Sequence, residues 1–159
     1  MNPCIAAGAT QVMMGRFDME EFLSLIETHR VTKLFTVPPV GLGLSQYPGV
    51  ASRDLTCLEF AMFGAAPLSG ELQVKISEVL DCTVIQGYGM TESSPVTNID
   101  FIEPALLKPG SIGPAVSNTE EKIVDTEDPG KQLGPGEIGE LMVRGPQVML
   151  GYFNTVSYT

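Results

Sequence analysis

Over residues 19–86 the apolar side chains switch repeatedly between helical and strand spacing, and that alternation restricts the chain to a layered α/β architecture. Asp18 followed three residues later by Glu21 resembles a capping box, and Met19, Phe22, Leu23 and Ile26 recur at helical intervals, so a helix is predicted over 19–29. Residues 33–37 read as a buried strand halted by Pro38 and Pro39, neither of which can donate to a ladder. A short helix is predicted over 40–46, a strand over 58–63, a helix over 69–80 with Leu72, Ile76, Val79 and Leu80 inward, and a strand over 83–86. Strands that alternate with helices of this length imply a largely parallel sheet with crossover connections.

After Glu92 the helical spacing fades. Gly and Pro become frequent, and short strands are predicted over 121–125 and 138–143, giving a small β-rich subdomain joined to the α/β layer. Asp128-Pro129-Gly130-Lys131 and Leu133-Gly134-Pro135-Gly136 are turn and loop chemistry. There is no internal repeat.

Composition narrows the function classes. With 43% hydrophobic residues in 159, one globular unit can bury a core. A net charge of −10 and nine scattered basic residues argue against nucleic acid as a partner, because phosphate neutralisation needs clustered Lys and Arg. The most apolar stretch, residues 34–44, is broken by Pro38, Pro39, Gly41 and Gly43, so no membrane span is expected. Residues 4–9 lack a preceding basic residue and make a poor secretory signal, and a cytoplasmic location follows. Cys4, Cys57 and Cys82 are odd in number and widely spaced, which predicts reduced, mostly buried thiols with neither disulfide nor zinc. His29 falls at the end of a predicted helix, where the dipole favours a surface histidine. With no Gly-x-Ser-x-Gly elbow, a hydrolase triad has little support.

The densest chemistry lies in Gln86-Gly87-Tyr88-Gly89-Met90-Thr91-Glu92, directly after the apolar run Thr83-Val84-Ile85. Gly87 and Gly89 stand where a strand ends and the backbone turns or approaches a ligand closely. Tyr88 offers a plane for a purine, Thr91 a hydroxyl for a phosphate oxygen, and Glu92 a hard oxygen for magnesium. Taken alone, the same spacing also describes a plain strand-to-helix turn.

The surrounding segments add to it. Gly64-Ala65-Ala66-Pro67-Leu68 lies upstream; Gly110-Ser111-Ile112-Gly113-Pro114, Ile123-Val124-Asp125, Gly136-Glu137-Ile138-Gly139-Glu140-Leu141, Val143-Arg144-Gly145-Pro146 and Gly151-Tyr152-Phe153-Asn154 follow. In that order, from about Ile5 to Asn154, the set resembles the adenylate-forming (AMP-binding) acyl-CoA synthetase superfamily, and most closely its 4-coumarate CoA ligase and fatty acyl-CoA ligase branch. Tyr88-Gly89-Met90-Thr91-Glu92 fits that branch better than the Tyr-Gly-Pro-Thr-Glu of peptide synthetase adenylation domains or the Trp-Gln-Thr-Glu of acetyl-CoA synthetases.

The resemblance implies an ATP-dependent ligase that joins a small-molecule carboxylic acid to coenzyme A through an acyl-adenylate. Thr91 and Glu92 would be catalytic, with Glu92 holding Mg2+. Gly64, Ala65, Ala66, Pro67, Gln86, Gly87, Tyr88, Gly89, Met90 and Thr91 would face the nucleotide, and Met62, Ala65, Gly87, Pro95 and Val96 the acyl group. Met62, Pro95 and Val96 also suit a plain core, and Glu140 and Arg144 read as structural.

It further implies a fragment of the family's large N-terminal domain, with residues 1–98 as a partial α/β AMP-binding subdomain and 99–159 as the β-rich one. The family's phosphate loop is expected upstream of Met1. Its ribose-binding aspartate, hinge and mobile-domain lysine are expected beyond Asn154. Thr155-Val156-Ser157-Tyr158-Thr159 departs from the family's usual continuation. Such a chain is expected to have little activity alone. The other class of function is a non-catalytic interaction module, completed by a partner chain that supplies the missing motifs.

Overall fold

The computed structural model describes residues 2–154; the departing run at 155–159 lies outside the described residues. After a short helix α1 (Asn2–Ala6), the chain enters α2 (Met19–Thr28), β1 (Lys33–Thr36) and α3 (Pro38–Gln46). A 3-10 segment (Pro48–Ser52) leads to β2 (Phe60–Phe63), α4 (Gly70–Leu80) and β3 (Thr83–Gly89). A second 3-10 turn (Thr91–Ser93) precedes β4 (Val96–Ile99), and β5 (Glu120–Val124) and β6 (Glu140–Arg144) follow.

Helices α2, α3 and α4 each start where a side chain or a proline deals with unpaired N–H groups. Asp18 Oδ1 accepts from Glu21 N–H at 3.0 Å to open α2, and Ser69 Oγ accepts from Leu72 N–H at 3.2 Å to open α4. Pro38 and Pro39 occupy the first turn of α3, where a missing donor costs nothing, so the helix begins two residues before the predicted Val40. Asp81, left-handed at φ +49°, ends α4.

The main sheet has the order β1-β2-β3-β4. β1, β2 and β3 run parallel, with Leu34, Ala61 and Val84 aligned in one row and Thr36, Phe63 and Gln86 in the next. Of these rows Leu34, Ala61, Phe63 and Val84 lie in the core, together with Leu23 and Ile26 of α2, Leu44 of α3, and Ile76 and Leu80 of α4. β1 is an edge strand, so only Leu34 of it is buried, in place of the buried strand predicted over 33–37. Leu72 and Val79 pack against that core only partly buried. Arg53 straps the connection before β2 onto α2, pairing with Glu20 at 2.6 Å and Glu27 at 3.3 Å. β4 returns antiparallel to β3, and β5 and β6 form a separate antiparallel pair.

His29 is exposed at the C-terminal cap of α2. The three cysteines are free, but each is only half-buried rather than mostly buried; Cys57 and Cys82 pack against the margin of the core. Among the described residues no helix is long and apolar enough to cross a membrane.

Candidate functional site

The two glycine-containing motifs meet because β2 and β3 are neighbours in parallel register. Phe63 pairs with Gln86 at the end of the parallel ladder, so the segment from Gly64 leaves the sheet beside Gly87, while β3 runs past the predicted Gln86 to Gly89 because Gly87, Tyr88 and Gly89 pair with β4. A Cβ placed on Gly64 would lie 3.4 Å from the Gly87 carbonyl oxygen. Carboxyl ends of parallel strands are where open α/β sheets bind ligands.

On the β2 side, Gly64 is half-buried while Ala65, Ala66 and Pro67 are exposed. Ala65 sits in the left-handed region at φ +67°, a conformation that a residue with a Cβ rarely adopts and that concentrates at functional sites. On the β3 side, Met62 covers Gly87 so closely that a Cβ there would overlap its methyl group. Tyr88 is 38% exposed at the strand end, and Thr91 is exposed in the turn.

Gly89 is required by close approach. A Cβ on it would overlap the carbonyl of Pro95. That oxygen accepts from Met90 N–H at 2.7 Å and from Ser93 Oγ at 2.7 Å, closing a tight loop around Ser93. Pro95 and Val96 are thereby set beside Gly89, where the ladder shifts register between Tyr88 and Gly89. The Ser94–Pro95 peptide is cis.

Gln86 behaves differently from its neighbours. Its side chain is 5% exposed and turns into the interior, where Nε2 donates to Gln73 Oε1 at 2.9 Å and Oε1 accepts from Leu68 N–H at 3.3 Å. Gln73, 1% exposed, donates in turn to the Val84 carbonyl at 2.8 Å and accepts from Gly110 N–H at 2.9 Å. This buried amide pair ties α4, β3, the end of the Gly64 to Leu68 motif and the Gly110 motif into one network. Gln73 carried no expectation; its spacing with Ile76 and Leu80 on one helix face is the signal that marks it as inward.

Glu92 is held at two points by residues far along the chain. Its backbone carbonyl accepts from Met149 N–H at 2.8 Å, and its Oε1 accepts from Tyr152 Oη at 2.8 Å. The Tyr152 hydroxyl, with help from the residue's own N–H, holds the Glu92 carboxyl below the usual carboxylate range, while Glu92 raises the phenol. In the sequence Tyr152 is marked only by its place in Gly151-Tyr152-Phe153-Asn154.

Glu140 and Arg144 sit on β6, away from the turn, where Arg144 pairs with Glu120 across the β5-β6 ladder. Asn98 links β4 to the later segments through Gly113 O at 3.2 Å and Glu121 Oε2 at 3.1 Å.

Two shallow depressions lie elsewhere, between α4 and the loop around Leu107; one is lined by Ser77, Asp81, Cys82 and Thr83. They hold no activated nucleophile. Burial, and then the Asp81 charge, push the Cys82 thiol up to about 11 against a weaker opposing hydrogen bond with the Ala61 backbone. Thiolate is the reactive form, so alkylation of Cys82 by iodoacetamide should rise about tenfold per pH unit from neutrality. It should level off only near the raised value. Peptide mass spectrometry of a timed reaction reads this directly, and a plateau at mildly alkaline pH would contradict it.

A protein-family model described as AMP-binding enzyme matches residues 1–153. The chain is 38% identical over 159 residues to 4-coumarate–CoA ligase 1 of Oryza sativa subsp. japonica, covering 98% of this chain and 28% of that protein. It is 43% identical over 154 residues to 4-coumarate–CoA ligase 2 of the same organism, covering 94% and 27%. Among solved structures, the anthranilate CoA ligase AuaEII in complex with anthranoyl-AMP superposes with a TM-score of 0.84 at 25% identity, covering 93% of this chain and 28% of that one. The chain therefore spans little more than a quarter of the length of these relatives.

Proposed function

The chain belongs to the AMP-binding enzyme family, whose matched relatives are CoA ligases, and from that membership we propose that it carries the nucleotide-facing and acyl-facing strand ends of an ATP-dependent acyl or aryl CoA ligase. The observation that carries this reading is the convergence of Gly64 to Pro67 with Gly87 to Glu92 at the carboxyl ends of adjacent parallel strands.

In such a reaction a carboxylate oxygen attacks the α-phosphorus of ATP, giving an acyl-adenylate and releasing pyrophosphate. The sulfur of coenzyme A then takes the acyl group and AMP leaves. Acceleration of both steps depends on positioning and on stabilising negative charge. Tyr88 stacks on adenine, and Gly64, Ala65, Ala66 and Pro67 border its edge. Thr91 donates to the α-phosphate. Met62, Ala65, Gly87, Pro95 and Val96 present small or apolar surface to the acyl group.

Magnesium suits the donors of the turn. Glu92 supplies a hard carboxylate oxygen next to an exposed hydroxyl, and the described residues form no cluster of three or more His, Cys, Asp or Glu that could cage an ion. One carboxylate shared with substrate phosphates is how magnesium is commonly held. Bound there, it neutralises charge on the phosphates.

Calorimetry with ATP and magnesium tests the reading. The unaltered chain should bind, and Thr91→Ala and Glu92→Ala should each weaken binding by about tenfold, the effect of losing one contact to a charged group. Absence of heat from a chain that is demonstrably folded would sink the reading.

A further inference from the structure

Tyr152 has no role in the reaction as described, yet it touches Glu92 from 60 residues away. The contact is one end of a strap. Residues 145–152 leave β6, turn where Val148 N–H donates to the Gly145 carbonyl at 3.2 Å, and are pinned near β5 by Gln147 Nε2 donating to Thr119 Oγ1 at 2.6 Å. Met149 N–H then reaches the Glu92 carbonyl at 2.8 Å. Gly151, at φ +140°, supplies a backbone conformation open to glycine that carries Tyr152 on to the carboxylate. The strap thus fixes the main chain of Glu92 and one oxygen of its side chain together.

The chemistry of this donor matters. A half-exposed glutamate has three rotatable bonds and loses that freedom on binding a cation. A hydrogen bond from Tyr152 removes much of the freedom beforehand. A lysine or arginine in its place would also cancel the negative charge that attracts a dication, whereas a phenol donates while leaving that charge in place. Partners of this kind, which hydrogen-bond a ligating carboxylate from behind, orient it toward the metal.

We propose that Tyr152 is a positioning residue for Glu92, engaging Oε1 so that Oε2 is presented to the divalent cation that accompanies the nucleotide. The inference rests on the nucleotide-site reading above and adds to it a residue from the far end of the described chain. Tyr152 is 52% exposed, so Tyr152→Phe removes one hydroxyl with little risk to folding.

Two measurements on the whole chain decide the matter. The first is ATP affinity with magnesium and with EDTA: Tyr152→Phe should reduce the magnesium-dependent gain by about tenfold, the lower end for a partner behind a metal ligand, and leave metal-free affinity unchanged. The second uses manganese alone, without nucleotide, followed by paramagnetic broadening of the Glu92 carboxyl carbon. The concentration giving half-broadening should rise about tenfold in Tyr152→Phe. An unchanged half-broadening concentration overturns the proposal, as does an unchanged magnesium-dependent gain in a chain that binds ATP. If the unaltered chain binds no ATP, the nucleotide-site reading fails, and the manganese measurement still decides whether Tyr152 positions Glu92.

Discussion

Phe63→Ala is expected to destabilise the protein by about 3–5 kcal/mol, the range for truncating a buried phenylalanine where the surroundings cannot collapse. Phe63 is 1% exposed and ends β2 between Thr36 and Gln86. Helix α3 lies directly on its ring: a Cβ built on Gly41 would come within 2.6 Å of both Phe63 Cε1 and Ile76 Cδ1. That close approach is why α3 has a glycine there, and it also means that the helix already touches the sheet layer and cannot move in to fill a void. The expected loss is a large fraction of the 5–15 kcal/mol that is usual for whole domains. Urea unfolding followed by circular dichroism checks it, with the midpoint falling at an unchanged slope. A loss below about 1 kcal/mol would mean that the ring is not packed as described, whereas Phe63→Leu, which keeps more volume, should fall between the two.

The alternating layer was legible in the sequence because its buried positions are apolar and regularly spaced. Leu34, Ala61, Phe63 and Val84 face the same core as Leu23, Ile26, Ile76 and Leu80, and each group shows its period to a reader of residues alone. β4 escaped for the opposite reason. In Val96–Ile99 the two buried residues are Thr97 and Asn98, whereas Val96 and Ile99 are partly exposed, so hydropathy points the wrong way. Thr97 and Asn98 tolerate burial because Thr97 Oγ1 donates to Asn98 Oδ1 at 2.7 Å and the Asn98 amide finds Gly113 and Glu121.

The candidate site divides along the same line. Which residues gather at the strand ends was legible, since a glycine-rich segment after a strand has few other places to go. What each side chain does there was not. The sequence places Gln86 beside Tyr88 in one motif, yet the fold sends its amide inward to Gln73. Strand alternation allows such a turn inward but does not announce the partner on α4 that satisfies it. The contact between Glu92 and Tyr152 is still less accessible, because it depends on the path of the strap beyond β6, which no local period encodes.

Gly89→Ala should cost about 2–4 kcal/mol and disrupt the turn that carries Thr91 and Glu92, although it adds a single methyl group to an exposed residue. Surface substitutions of this size are usually near neutral. Here the added Cβ would occupy the position of the Pro95 carbonyl, with the carbonyl carbon and Val96 Cα also under 3 Å away at 2.7 and 2.8 Å. Backbone cannot rotate aside as a side chain can. The loop must therefore open, and the Pro95 oxygen gives up the hydrogen bonds from Met90 N–H and Ser93 Oγ that close it. Overpacking accounts for about 1–3 kcal/mol, and the two hydrogen bonds, at about 0.5 kcal/mol each for groups that re-pair with water, for about 1 kcal/mol more. Gly15→Ala is the matched control, because an added Cβ at Gly15 meets nothing within 4 Å and its φ is not left-handed. Urea midpoints for the two variants should separate clearly, and the amide resonances of residues 90–95 should shift only in Gly89→Ala. Equal midpoints would show that the close approach of Pro95 to Gly89 is not a constraint on the fold. A displaced midpoint with unchanged resonances in the turn would place the cost elsewhere and detach Gly89 from the geometry of Glu92.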